Sequence, residues 1–137
     1  MIHENIPIQM SGSSKETHLT TYILAAYEEL PEDLMRPLIL ICPGGAYRFT
    51  ADREAEMVAL QFNSMGYHAA VLRYSCAPSV FPAALTEVAR SVQMIHEKAE
   101  AWHVDTENIF VMGFSAGGHL AASYGVFWNR DFLSEAV

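Results

Sequence analysis

The chain has 137 residues, enough for one domain with a real core. Its apolar fraction of 51% suits the interior part of a larger α/β domain better than a complete small one. A formal charge of −8 argues against a nucleic-acid or anionic-membrane surface, and no apolar run is long enough to span a bilayer.

The N-terminus, MIHENIPIQM, lacks a basic region followed by an apolar one, so a cytoplasmic location is the expectation. Cys42 and Cys76 have neither metal-ligand spacing nor a nearby partner, and read as buried free thiols in a reducing compartment. No cofactor or metal is expected.

In chain order, Ile6 to Met10 and Leu19 to Leu24 read as strands around the polar turn Ser11-Gly12-Ser13-Ser14. Ala25 to Arg36 is acidic, contains Pro31, and reads as a loop with a helical turn. Leu38 to Cys42 (LILIC) is a buried strand running into Pro43-Gly44-Gly45. Asp52 to Met65 is predicted helical, with Ala55, Val58, Phe62 and Met65 on one face and Gly66 as its stop. His68 to Tyr74 is the next strand.

The clearest helix is Pro82 to Trp102. Leu85, Val88, Val92, Ile95, Ala99 and Trp102 form its apolar stripe, with Glu87, Arg90, Glu97 and Lys98 off it. Asp105-Thr106-Glu107 reads as the turn into an apolar strand, Ile109 to Met112, and Ala116 to Trp128 as the last helix. This alternation predicts a mostly parallel sheet of about five strands, the last three parallel, with three helices on its two faces. No internal repeat or linker divides the chain.

Two stretches carry chemistry. Gly113-Phe114-Ser115-Ala116-Gly117 fits G-x-S-x-G between a strand and a helix, the context in which this motif presents a serine nucleophile. The two glycines stand where side chains would collide as the chain folds back. The turn forces Ser115 into a strained conformation with φ above zero, and the Ala116 amide points into the same space from a helix N-terminus. The second stretch, Pro43-Gly44-Gly45-Ala46-Tyr47, ends a buried strand on the edge where parallel sheets form their sites. A nucleotide loop is not indicated: there is no G-x-G-x-x-G and no G-K-[ST].

The ordered set PGGAY, Arg73-Tyr74, Ala77-Pro78, Phe81-Pro82 and GFSAGGHLA resembles the α/β-hydrolase superfamily over about Leu38 to Trp128. Within it, the nearest likeness is to esterases of the hormone-sensitive-lipase and acetyl-xylan-esterase-like branches. That resemblance implies the N-terminal half of an α/β-hydrolase fold and a carboxylic-ester hydrolase acting on short acyl or acetyl esters, acetylated sugars included. It implies Ser115 as nucleophile and an oxyanion hole from the amides of Gly45, Ala46 and Ala116. Tyr47, near the mouth, is a candidate substrate contact.

A serine nucleophile needs a base and an orienting carboxylate, which in this superfamily follow it as acid and then histidine. After Ser115 the chain holds one histidine, His119, and two acids, Asp131 and Glu135. His119 sits on the nucleophile's own helix ahead of both acids, and reads as structural or helix-capping. The expectation is a partial domain with the triad acid and histidine outside it. It would be a shortened chain, a cleavage product, or a half-domain that pairs with another chain. A non-enzymatic binding or assembly module is the alternative. An unpaired strand edge at Asn108–Met112, with Phe127 and Trp128 uncovered, predicts a homo-oligomer.

Overall fold

A computed structural model describes all of residues 1–137. One five-stranded sheet has the order β1-β2-β4-β3-β5. Its strands are β1 (Asn5–Pro7), β2 (His18–Tyr22), β3 (Arg36–Cys42), β4 (His68–Arg73) and β5 (Val104–Gly113). β1, β2 and β4 pair antiparallel, whereas β3 runs parallel to both β4 and β5. The expected class and the parallel set of three are therefore present.

β3 and β4 are continuous apolar runs because both of their faces are covered. On one face α1 (Glu56–Ser64) lays Val58, Ala59 and Phe62 over Tyr22, Ile39, Ile41 and Val71. On the other, α2 (Ala83–Glu97) and α4 (Ala116–Phe127) bury Leu85, Val88, Ile95 and Leu120 against Leu38, Leu40 and Leu72. Each fully buried leucine contributes about 1.5–3 kcal/mol from burial alone. No helix is long and apolar enough to cross a membrane.

Several boundaries differ from the sequence reading. The first helix begins as a 3-10 turn over Asp52–Glu54, and Met65, placed on its apolar face, is exposed at its end. The long helix breaks at Lys98 (φ −95°, ψ 2°), leaving α3 (Ala99–Trp102) closed by left-handed His103. Asp105-Thr106-Glu107 lies inside β5 rather than before it. Arg36 pairs with Val104 but Leu38 with Ile109, so the extra residues bulge out. Asp105 closes that bulge by accepting from the Glu107 amide (3.0 Å) and the Asn108 side chain (2.8 Å). A short helix, α5 (Asp131–Ser134), carries Phe132 edge-on to Phe127 at 5.8 Å, so Phe127 is partly covered and Trp128 is not.

Cys42 is fully buried, which pushes its thiol up to about 12, while Cys76 is only partly buried. Glu87, off the predicted stripe, is also fully buried. The hairpin turn and the segment after β4 fold over that side of α2. Glu87 accepts from the Ser75 amide (2.7 Å), the Ser75 hydroxyl (2.6 Å) and the Ser13 hydroxyl (2.6 Å).

His68 is buried at the other end of β4. Its Nδ1 accepts from the Leu24 amide (3.0 Å) and its Nε2 donates to the His103 carbonyl (3.1 Å), which fixes the neutral tautomer. Burial, reinforced by the nearby charge of Arg36, lowers its pKa below the usual histidine value. The unfolded chain thus takes up a proton at a higher pH than the native one. Stability should be full above about pH 6.5 and fall as pH drops from there toward the native value. Urea midpoints against pH check this, and His68→Gln should flatten the slope.

Candidate active site

β3 and β5 are parallel neighbours in register from Leu38–Ile109 to Cys42–Gly113, so the loops that leave them emerge side by side at one sheet edge. That register brings the two glycine-rich stretches together across 70 residues of sequence. Their contact is close. A Cβ added at Gly44 would lie 3.3 Å from Ser115 Cβ and 2.7 Å from the Phe114 carbonyl.

Ser115 is exposed at the head of α4, with φ 54° and ψ −118°. This is the strained conformation the turn demands, and such a residue costs of order 1–3 kcal/mol unless its surroundings hold it. They do so through main chain. Phe114 N donates to the Cys42 carbonyl (3.2 Å), Gly117 N to Phe114 O (2.9 Å) and His119 N to Ser115 O (2.9 Å). The glycines are steric requirements. A Cβ at Gly113 would meet Gly117 O at 2.1 Å, and one at Gly117 would meet Cys42 O at 1.9 Å.

The loop after β3 is strained too. Gly45, Ala46 and Tyr47 have φ of 141°, 57° and 59°, three positive values in succession. Several bonds fasten it. Gly44 N donates to Glu54 Oε1 (3.1 Å), and Arg48 N and Ala51 N donate to Gly45 O (2.9 Å) and Gly44 O (2.8 Å). The Tyr74 hydroxyl donates to Pro43 O, and Ala77 N to Tyr47 O (2.7 Å). The amides of Gly45, Ala46 and Ala116 make no hydrogen bond within the chain.

His119 neither caps the helix nor stands free. Its Nδ1 lies 2.8 Å from the Tyr47 hydroxyl, with the rings edge-on at 5.8 Å. Burial raises the phenol pKa of Tyr47, and more strongly that of Tyr74, so both keep their protons at neutral pH. Beside this pair opens a cavity of about 250 Å³, walled by Val80, Phe81, Leu85 and Leu120, with Ser75 and Ser123 among its polar groups. Asp131 and Glu135 are exposed at the far end of α4, and no three His, Cys, Asp or Glu side chains are grouped to hold a metal.

Glu54 and Tyr74 were not singled out as site residues from sequence, and Tyr47, read as a candidate substrate contact, was not paired with His119. Only Tyr74, at the C-terminal end of a strand on the site edge, carried a readable signal.

The fold and the strand–turn–helix around Ser115 are those of an α/β hydrolase. The chain belongs to the BD-FAE family, whose model matches residues 24–137. Among solved structures, MGS-M1, an α/β-hydrolase enzyme from a Medee basin deep-sea metagenome library, is 39% identical with a TM-score of 0.84. That match covers 90% of this chain and 50% of MGS-M1. The carboxylesterase Cest-2923 from Lactobacillus plantarum is 30% identical with a TM-score of 0.87, over 98% of this chain and 50% of the other.

Of curated relatives, endo-1,4-beta-xylanase B of Butyrivibrio fibrisolvens is 30% identical over 72% of this chain and 16% of its own length. Acetylxylan esterase of Xylanibacter ruminicola is 27% identical over 68% of this chain and 20% of its own. The chain therefore spans half the length of these structures and a fifth or less of these curated relatives.

Proposed function

We propose that residues 1–137 form one partial domain carrying the nucleophile half of a carboxylic-ester hydrolase site. Ser115 Oγ attacks the ester carbonyl carbon. The carbonyl oxygen gains negative charge and is received by the amides of Gly45, Ala46 and Ala116. Collapse breaks the acyl–oxygen bond, the alcohol leaves with the proton that Ser115 gave up, and water then cleaves the acyl–serine ester to free the carboxylic acid and the serine. The observation that supports this most is the strained φ of Ser115 at the head of α4, beside a loop whose Gly45 and Ala46 amides are left without partners.

The small cavity lined by Tyr47 and His119, one helical turn from Ser115, favours a short acyl group. Acetylated sugars are the favoured substrate class because an acetylxylan esterase is among the relatives. Two free thiols fit a reducing, cytoplasmic compartment.

The serine proton needs an acceptor. His119 makes its one side-chain hydrogen bond to Tyr47 and none to Ser115 Oγ, and no carboxylate orients it, so the acid and base of the triad are to come from outside these residues. The chain alone should then show negligible steady-state hydrolysis of p-nitrophenyl acetate. Triad enzymes lacking one member retain only about 10³–10⁴ over water. Robust turnover abolished by Ser115→Ala would overturn the assignment of a missing base, and His119→Ala would be the next variant to assay.

We also propose that the isolated chain self-associates. β5 pairs only with β3, leaving its other edge unpaired and Phe110 half exposed. An interface of about 800 Å² per subunit would cover such an edge. Sedimentation at micromolar concentration should report a dimer, and a well-behaved monomer would refute this.

A further inference from the structure

We infer that His119 is a positioning residue, which acts through Tyr47 to hold the Gly45–Ala46 turn against the nucleophile helix. Its catalytic meaning rests on the oxyanion reading above.

The argument begins with strain. Gly45, Ala46 and Tyr47 all lie at positive φ, and two of them bear side chains that disfavour it. Left alone, such a turn relaxes. None of the main-chain fastenings of this loop leads to α4, and even Tyr47 O accepts from Ala77 N (2.7 Å), just beyond β4. Tyr74 and Glu54 hold Pro43 and Gly44, while Gly45 O and Gly44 O receive the amides of Arg48 and Ala51. Those bonds tie the loop to β4, to the turn over Asp52–Glu54 and to itself. Only one hydrogen bond from a loop side chain reaches α4, the contact between the Tyr47 hydroxyl and His119 Nδ1 at 2.8 Å.

His119 is suited to this by periodicity. It lies one turn along the helix from Ser115, whose carbonyl accepts its amide, so its side chain rises on the serine's side of α4. Tyr47 adjoins Ala46 directly. The pair thus connects the residue after two candidate oxyanion donors to the helix that carries the third. Relative placement of amides on two different elements is what oxyanion stabilisation needs fixed before the reaction starts.

The test reads the amides and requires no turnover. In ¹⁵N relaxation of the whole chain, Gly45 and Ala46 should have order parameters near about 0.85 in the wild type, falling below about 0.6 in Tyr47→Phe. His119→Phe should do the same, and the double variant should be no worse than either single one. His119→Asn, which keeps a hydrogen-bonding atom near the place of Nδ1, should restore order. Leu40 and Val71 amides in the sheet serve as the reference and should not change.

Rigid Gly45 and Ala46 amides in Tyr47→Phe would overturn the inference. So would a failure of His119→Asn to rescue, or loss of the sheet signals together with the loop's, since the pair would then hold the fold and not the turn. If the order parameters respond as expected while a completed enzyme shows no dependence on Ser115, the ester-hydrolase reading falls and the latch stands.

Discussion

Gly117→Ala is expected to lower stability by about 3 kcal/mol or more, although alanine is the better helix former by about 1 kcal/mol. The added carbon would sit 1.9 Å from the Cys42 carbonyl oxygen and 2.5 Å from that of Pro43. Both are main chain at the end of β3, a strand buried on both faces, so neither can turn aside. α4 would have to back away from the sheet, carrying Ser115 with it. The clash therefore outweighs the propensity gain. Urea midpoints should show the loss at an unchanged m-value. Gly125→Ala, in the same helix with nothing within 4 Å, should instead stabilise by about 0.5–1 kcal/mol. Equal effects at the two positions would mean that the helix does not approach β3 as described.

Glu87→Ala should cost about 3 kcal/mol or more, since each buried donor left without an acceptor costs about 1–3 kcal/mol. It strands the Ser75 amide, the Ser75 hydroxyl and the Ser13 hydroxyl, each a buried or half-buried donor. Glu87→Gln should cost much less, because the two carboxylate oxygens have different partners. Oε1 accepts from a backbone amide that cannot reorient, and glutamine keeps that oxygen. Oε2 accepts from two hydroxyls, which can rotate to receive an NH₂ in its place. Thermal or urea unfolding of the two variants separates these cases, and a Gln variant as unstable as Ala would show that the charge itself is required.

The parts legible in the sequence were those governed by local rules. LILIC and AAVL are unbroken apolar runs, as a strand covered on both sides has, and they lie within β3 and β4. Gly113 and Gly117 were readable because no other residue fits the backbone there, and the positive φ of Ser115 followed from the same turn. Features that depend on distant chain were not readable. Glu87 falls off the apolar stripe and looked solvated, but a turn 74 residues earlier folds over it. His119 and Tyr47 are 72 residues apart, and nothing local to either predicts their bond. Asp105-Thr106-Glu107 has the composition of a turn, and it does turn, but as a bulge within β5. The place of Ser115 was thus written near Ser115, whereas its supports were spread along the chain.

The two margins of the sheet are unequal. β1 is three residues long and finishes at Pro7, which has no amide hydrogen to offer, whereas β5 presents ten residues. Lateral growth therefore has a polarity. A copy joining through β5 uses the long margin of both partners at once when they meet about a two-fold axis, and only the blunt β1 margins then face outward. Were the chain to pair as proposed, the assembly would be self-limiting, closing as a pair with only the short β1 margins left to extend it.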